Sequence, residues 1–128
     1  MLKGDNINSL VLAYIGDAYY ELLVRNHLIN KGIANVNSLQ SEAIKFSSAK
    51  SQCEILTNLN QYLTEEELDV VKRARNYKKS THPKNTDLMT YKHSTAFEAL
   101  IGYLYLNENI DRITDLFDKI TTNKELYK

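Results

Sequence analysis

Residues 94–106, STAFEALIGYLYL, are small, apolar or aromatic at every position but one, and that one, Glu98, is an acid. A helix whose second half, ALIGYLYL, is apolar nearly all round belongs in the middle of a fold rather than on its surface. A second segment, LAYIGDAYYELL (residues 12–23), repeats the character, with Asp17 in its middle. Each carries a glycine: Gly16 beside Asp17, and Gly102 four residues after Glu98. Glycine inside a helix costs about 1 kcal/mol against alanine, so its use here points to a close approach of another backbone or a ligand. Two such helices are expected to pack together and bring Asp17 and Glu98 close.

The rest of the chain predicts an all-α helical bundle. Four glycines and one proline are too few for a fold of many short strands, and apolar residues recur at helical spacing. Ser9 is expected to cap a first helix running to about Asn30, with Gly32 where the chain leaves it. Asn37 or Ser38 caps a second, and Ala49–Tyr62 carries the stripe Ile55, Leu56, Leu59 and Leu63. Thr64 and Glu67 have capping-box spacing and open a helix to about Arg75. Residues 76–90, NYKKSTHPKNTDLMT, read as a long polar loop, a length more often functional than idle. Thr90 is expected to cap a helix over Tyr91–Leu106, ended by Asn107. A last helix covers about Asp111–Ile120, and the final TTNKELYK frays.

At 128 residues the chain is expected to form one domain, residues 1–128, with a core large enough to need no metal or disulfide. The single cysteine, Cys53, makes no internal bridge, no signal-peptide pattern opens the sequence, and no apolar run reaches the roughly 20 residues of a membrane span. A cytoplasmic protein is expected. Sixteen basic residues balance 16 acidic ones, but the balance is uneven. Between Val70 and Thr86 lie Lys72, Arg73, Arg75, Lys78, Lys79, Lys84 and His82 with no acid, which leaves an acidic excess elsewhere. A basic patch on an acidic body fits a polyanionic partner as well as a merely solvated loop.

Two inward acids repel unless one is protonated or a cation lies between them. Oxygen-only ligands favour a hard divalent ion, and Mg2+, which keeps several waters and needs only one or two carboxylates, suits so sparse a set. Zinc is disfavoured by one cysteine and three scattered histidines, His27, His82 and His93. Mg2+ beside a basic loop suggests phosphodiester chemistry. Composition alone leaves the bland reading open, since a buried acid is more often paired with Arg, Lys or Tyr than with a metal. Glu21 has Arg25 within helical reach and needs no catalytic role.

LAYIGDA, SAKSQ, RARN, PKNTD and STAFEALIGYLYL, in that order from residue 12 to 106, resemble the ribonuclease III family, and most closely its compact bacterial branch that lacks a double-stranded-RNA-binding domain. The resemblance implies a helical homodimer that cuts both strands of double-stranded RNA with Mg2+, with Mn2+ as a substitute, leaving short 3′ overhangs. For the compact branch it implies maturation of the large-subunit (23S) ribosomal RNA precursor. By position, Asp17 and Glu98 fall on the family's catalytic, metal-binding acids. Further family acids are replaced here by Leu10, Ala13 and Thr95, so waters fill more of the metal's shell; Glu42 lies near where another family glutamate falls, without a match to it.

A-form RNA hides its bases in a deep groove, so contact is expected through phosphates and 2′ hydroxyls. Arg73 and Arg75 at a helix end and Lys78, Lys79 and Lys84 in the loop are the expected RNA-binding residues. Leu10, Tyr14, Tyr19, Leu22 and Leu23 make the first helix apolar on more faces than one small chain uses, as an isologous interface would. The competing reading is a noncatalytic RNA-binding or ribosome-assembly module in which both acids are structural.

Overall fold

The computed structural model describes residues 7–77 and 87–126, with side chains through residue 123. Six α-helices account for most of these: α1 (Ser9–Asn30), α2 (Val36–Ser47), α3 (Ala49–Leu59), α4 (Glu65–Arg75), α5 (Leu88–Leu106) and α6 (Ile110–Leu126), with a 3-10 turn at Asn60–Tyr62. The all-helical expectation holds, and no strand occurs among the described residues. No helix among them is long and apolar enough to cross a membrane.

Capping chemistry sets the boundaries and corrects three expected ones. Asn8, not Ser9, caps α1: its Oδ1 accepts from the Leu10 and Val11 amides at 2.8 and 3.3 Å. Asn35, not Asn37 or Ser38, caps α2, accepting from the Ser38 amide at 2.9 Å. Asp87 caps α5, accepting from the amide and the hydroxyl of Thr90. Thr90 thus supports the cap rather than forming it, and α5 starts at Leu88. In each case a side chain a few residues upstream in extended backbone reaches forward to free N–H groups, and an anionic Asp at α5 also complements the helix dipole. Gly32 leaves α1 with φ +92°, a conformation that side-chain-bearing residues rarely adopt.

The Thr64–Glu67 capping box forms as expected, with both reciprocal bonds present. Three acids in the first turn of α4 and three basic residues in its last oppose the helix dipole. The helix expected over Ala49–Tyr62 tightens into the 3-10 turn after Leu59. The last helix extends six residues past Ile120, to Leu126, with Ile113, Leu116 and Ile120 pinning its inner face, although Thr121, Thr122 and Asn123 are weak helix formers.

α5 is the central element, with ten buried residues from Ser94 to Leu104, and α1 lies along it. The Tyr20 ring meets Phe97 edge-on at 4.8 Å, and its hydroxyl donates to the Phe46 carbonyl at 3.0 Å, tying α1 to α5 and α2. On the far side Arg112 of α6 grips Glu67 of α4 with two 2.8 Å bonds and donates to the Tyr62 carbonyl at 2.7 Å. Burial pushes the Glu67 carboxyl up, but the bonds from Arg112 and Thr64 outweigh it and hold the group below the ordinary glutamate range.

Candidate active site

The site is made by the crossing of α1 and α5. A Cβ added at Gly16 would stand 1.8 Å from the Glu98 carbonyl oxygen, and one added at Gly102 1.9 Å from that of Leu12. No side chain fits either place, so the helices touch backbone to backbone. Asp17 follows Gly16 on α1, and Glu98 supplies the α5 carbonyl that Gly16 meets. The glycines therefore explain the acids' proximity.

The carboxyls of Asp17 and Glu98 share a hydrogen bond. Asp17 is exposed and Glu98 half-buried, so the pair opens to solvent on one side. Burial, the hydrogen bond to Asp17 and the Asp17 charge together push Glu98 up to about 8; a bond from Gln52 acts the other way. No Lys, Arg or His among the described residues pairs with either acid. An acid pair with no cationic side chain on it among the described residues is a poor structural device and a ready receptor for a divalent ion. The described residues contain no group of three or more His, Cys, Asp or Glu side chains that could hold a metal. Among the described residues, then, the pair offers two carboxylates, a set that would suit an ion that keeps much of its water shell.

The remaining sequence candidates separate clearly. Glu21 pairs with Arg25 at 2.8 Å and Glu42 with Lys45 at 2.7 Å. Leu10 is half-buried, and Ala13 and Thr95 are buried. Arg73 is exposed at the end of α4, 3.8 Å from Asp69, and Arg75 is half-buried beside it. Lys78, Lys79 and Lys84 lie outside the described residues. Tyr77 accepts a 3.3 Å bond from Asn8 Nδ2, which ties the end of α4 to the start of α1.

Sequence reasoning missed Gln52 and Ser94. Gln52, on α3, is 1% exposed and its Nε2 donates to Glu98 Oε2 at 3.4 Å; the buried Ser94 hydroxyl donates to Gln52 Oε1 at 2.5 Å. Their signal is a polar residue on an apolar stripe: Gln52 shares the buried face of α3 with Ile55, Leu56 and Leu59.

The Ribonuclease III domain pattern matches residues 10–109, a span that includes both acids and both glycines. The chain belongs to the ribonuclease III family. Within this family it is 51% identical over 109 residues to Mini-ribonuclease 3 of Brevibacillus brevis, covering 85% of this chain and 81% of the relative. It is 43% identical over 118 residues to Mini-ribonuclease 3 of Streptococcus pneumoniae, covering 91% and 92%. A crystal structure of a Fusobacterium nucleatum protein superposes with a TM-score of 0.84 at 32% identity, covering 94% of this chain and 96% of that one. The ribonuclease III domain makes the chain an endoribonuclease of double-stranded RNA, as the enzyme reading of the sequence expects.

Proposed function

We propose that Asp17 and Glu98 are the catalytic, metal-holding acids of this ribonuclease, that Mg2+ is its cofactor with Mn2+ as a substitute, and that its substrate is the precursor of large-subunit (23S) ribosomal RNA. The observation that carries the site is an acid pair, one member exposed, with no cationic side chain on it among the described residues. The substrate is supported by the likeness to the Mini-ribonuclease 3 enzymes, and the cytoplasm is the compartment proposed for such a role.

The reaction is hydrolysis of a phosphodiester. Water attacks phosphorus in line, the bond to the 3′ oxygen breaks, and the products end in a 5′ phosphate and a 3′ hydroxyl. A bound divalent ion supplies acidity to the attacking water and neutralises charge on the departing oxygen. Asp17 and Glu98 are the residues that would hold such an ion, and Glu98 would also orient the water. No histidine is needed as general base, and among the described residues His93 is engaged with the Met89 carbonyl at 2.8 Å. Arg73 and Arg75, with Lys78, Lys79 and Lys84, meet phosphates of the duplex, so binding weakens steeply as salt rises.

Cutting both strands calls for two sites, and we propose a twofold homodimer formed through α1. Tyr14 is 82% exposed, and Val11 and Leu22, at 52% and 55%, continue the same helical stripe. Of the other residues expected there, Tyr19 and Leu23 pack against the chain's own core and Leu10 is half-buried.

The test of the site is cleavage of labelled duplex RNA by purified protein in MgCl2, beside Asp17→Asn. The variant is expected to keep its helical spectrum and lose cleavage by 100-fold or more, on the order of 3 kcal/mol of transition-state stabilisation. Undiminished cleavage by Asp17→Asn would place the chemistry elsewhere.

A further inference from the structure

Four polar or charged residues are found in the core among the described residues: Gln52, Glu67, Ser94 and Thr95. Glu67 is accounted for by its capping box and Arg112. Gln52 is harder to explain by stability. It stands on the inner face of α3, where leucine would fill similar space without desolvating an amide. Both ends of that amide are spent on α5, on residues 94 and 98, one helical turn apart on one face.

Their order matters. Ser94 donates to Oε1, and the NH2 group faces Glu98 Oε2; the flipped amide would set its carbonyl against a carboxylate. The ionised carboxylate, which only accepts, selects the NH2 end of Gln52, and the Ser94 bond satisfies and tethers the other end. The donor offered is neutral. A lysine or arginine there would also orient the carboxylate, but it would cancel the charge and compete with any cation arriving at the pair. An amide orients without neutralising, and it occupies only part of the carboxylate's four or so acceptor sites.

We infer that Gln52, locked by Ser94, is a positioning residue that holds the Glu98 carboxylate in the orientation that receives the divalent ion. The inference rests on the proposed role of Asp17 and Glu98 and adds a third helix, α3, to a site otherwise built from α1 and α5.

The experiment reads metal uptake without RNA: melting temperature against MgCl2 at fixed ionic strength, for wild type, Gln52→Leu, Ser94→Ala, the double variant and Glu98→Gln. Gln52→Leu is expected to melt in EDTA no lower than wild type, while the Mg2+ midpoint for stabilisation rises about 10- to 100-fold, the usual effect of losing a ligand's hydrogen-bond partner. Cleavage should fall at low Mg2+ and recover as Mg2+ is raised. Ser94→Ala should shift the midpoint less, and the double variant no more than Gln52→Leu, because Ser94 acts through Gln52. A wild-type midpoint in Gln52→Leu, with or without a uniform loss of rate, overturns the inference; should that variant not fold, a wild-type midpoint in Ser94→Ala does so. Glu98→Gln separates the two levels. Loss of its Mg2+ response beside a normal Gln52→Leu removes only the positioning role, whereas a Glu98→Gln protein that still responds removes the metal site itself.

Discussion

The residue with most leverage is Glu98. Its folded value, about 8, lies above the 4.5 of an ordinary glutamate, so the contribution of this group to stability is full below about pH 4.5, declines as pH rises, and is gone above about 8. Metal-free protein at pH 8 therefore carries an unfavourable charge that glutamine would not. Glu98→Gln is expected to raise the melting temperature in EDTA at pH 8 by about 3–8 °C, the size of 1–2 kcal/mol in a domain of this length, and the gain should shrink toward pH 5. Equal melting of the two proteins at pH 8 would contradict the strain assigned to the pair. The same residue shows how far the sequence can be read. An acid and a glycine in each of two apolar helices were enough to expect the meeting of Asp17 and Glu98. Nothing in one dimension showed that Asp17 would be exposed while Glu98 sat half-buried, because that depends on where α1 and α5 cross. Gln52 was illegible for a related reason: one polar residue on a stripe ending in Ile55, Leu56 and Leu59 looks like slack in the pattern until its two partners on α5 are seen.

At the scale of elements, the crossing itself is the vulnerable joint. Gly16→Ala places a methyl against the backbone of α5, and a backbone cannot step aside as a side chain can. The helices must separate, at an expected loss of about 3 kcal/mol or more in chemical denaturation and with the Mg2+ response lost although neither acid is changed. A variant melting within a degree or two of wild type would show that the crossing has room. Element existence was legible and element ends only partly so. Thr64 and Glu67 announce a helix start by themselves, because both halves of the box are local. Ser9 and Thr90 are equally good caps by type, yet Asn8 and Asp87 precede them in extended backbone and take the role first. The choice between neighbouring capping residues rests on backbone geometry, which composition does not carry. α6 outran its expected end because Ile120 is anchored in the core, which carries the helix through the weak formers Thr121, Thr122 and Asn123.

For the molecule as a whole, the outward stripe of α1 is the feature that reaches beyond one chain. Tyr14→Asp sets a charge in the middle of that stripe and is expected to convert the sedimentation of the protein at micromolar concentration from dimer to monomer with its helical content unchanged. A wild-type monomer, or a variant that still sediments as a dimer, would contradict the proposed interface. One helix then has two duties. Asp17 reaches the acid pair from the same rod that exposes Val11, Tyr14 and Leu22. In the proposed dimer no hinge would lie between the seam and either acid pair, so the offset between the nicks on the two RNA strands would be a rigid dimension of the assembly. Changing how the rods lie against each other would alter the length of the single-stranded ends while leaving each centre chemically intact.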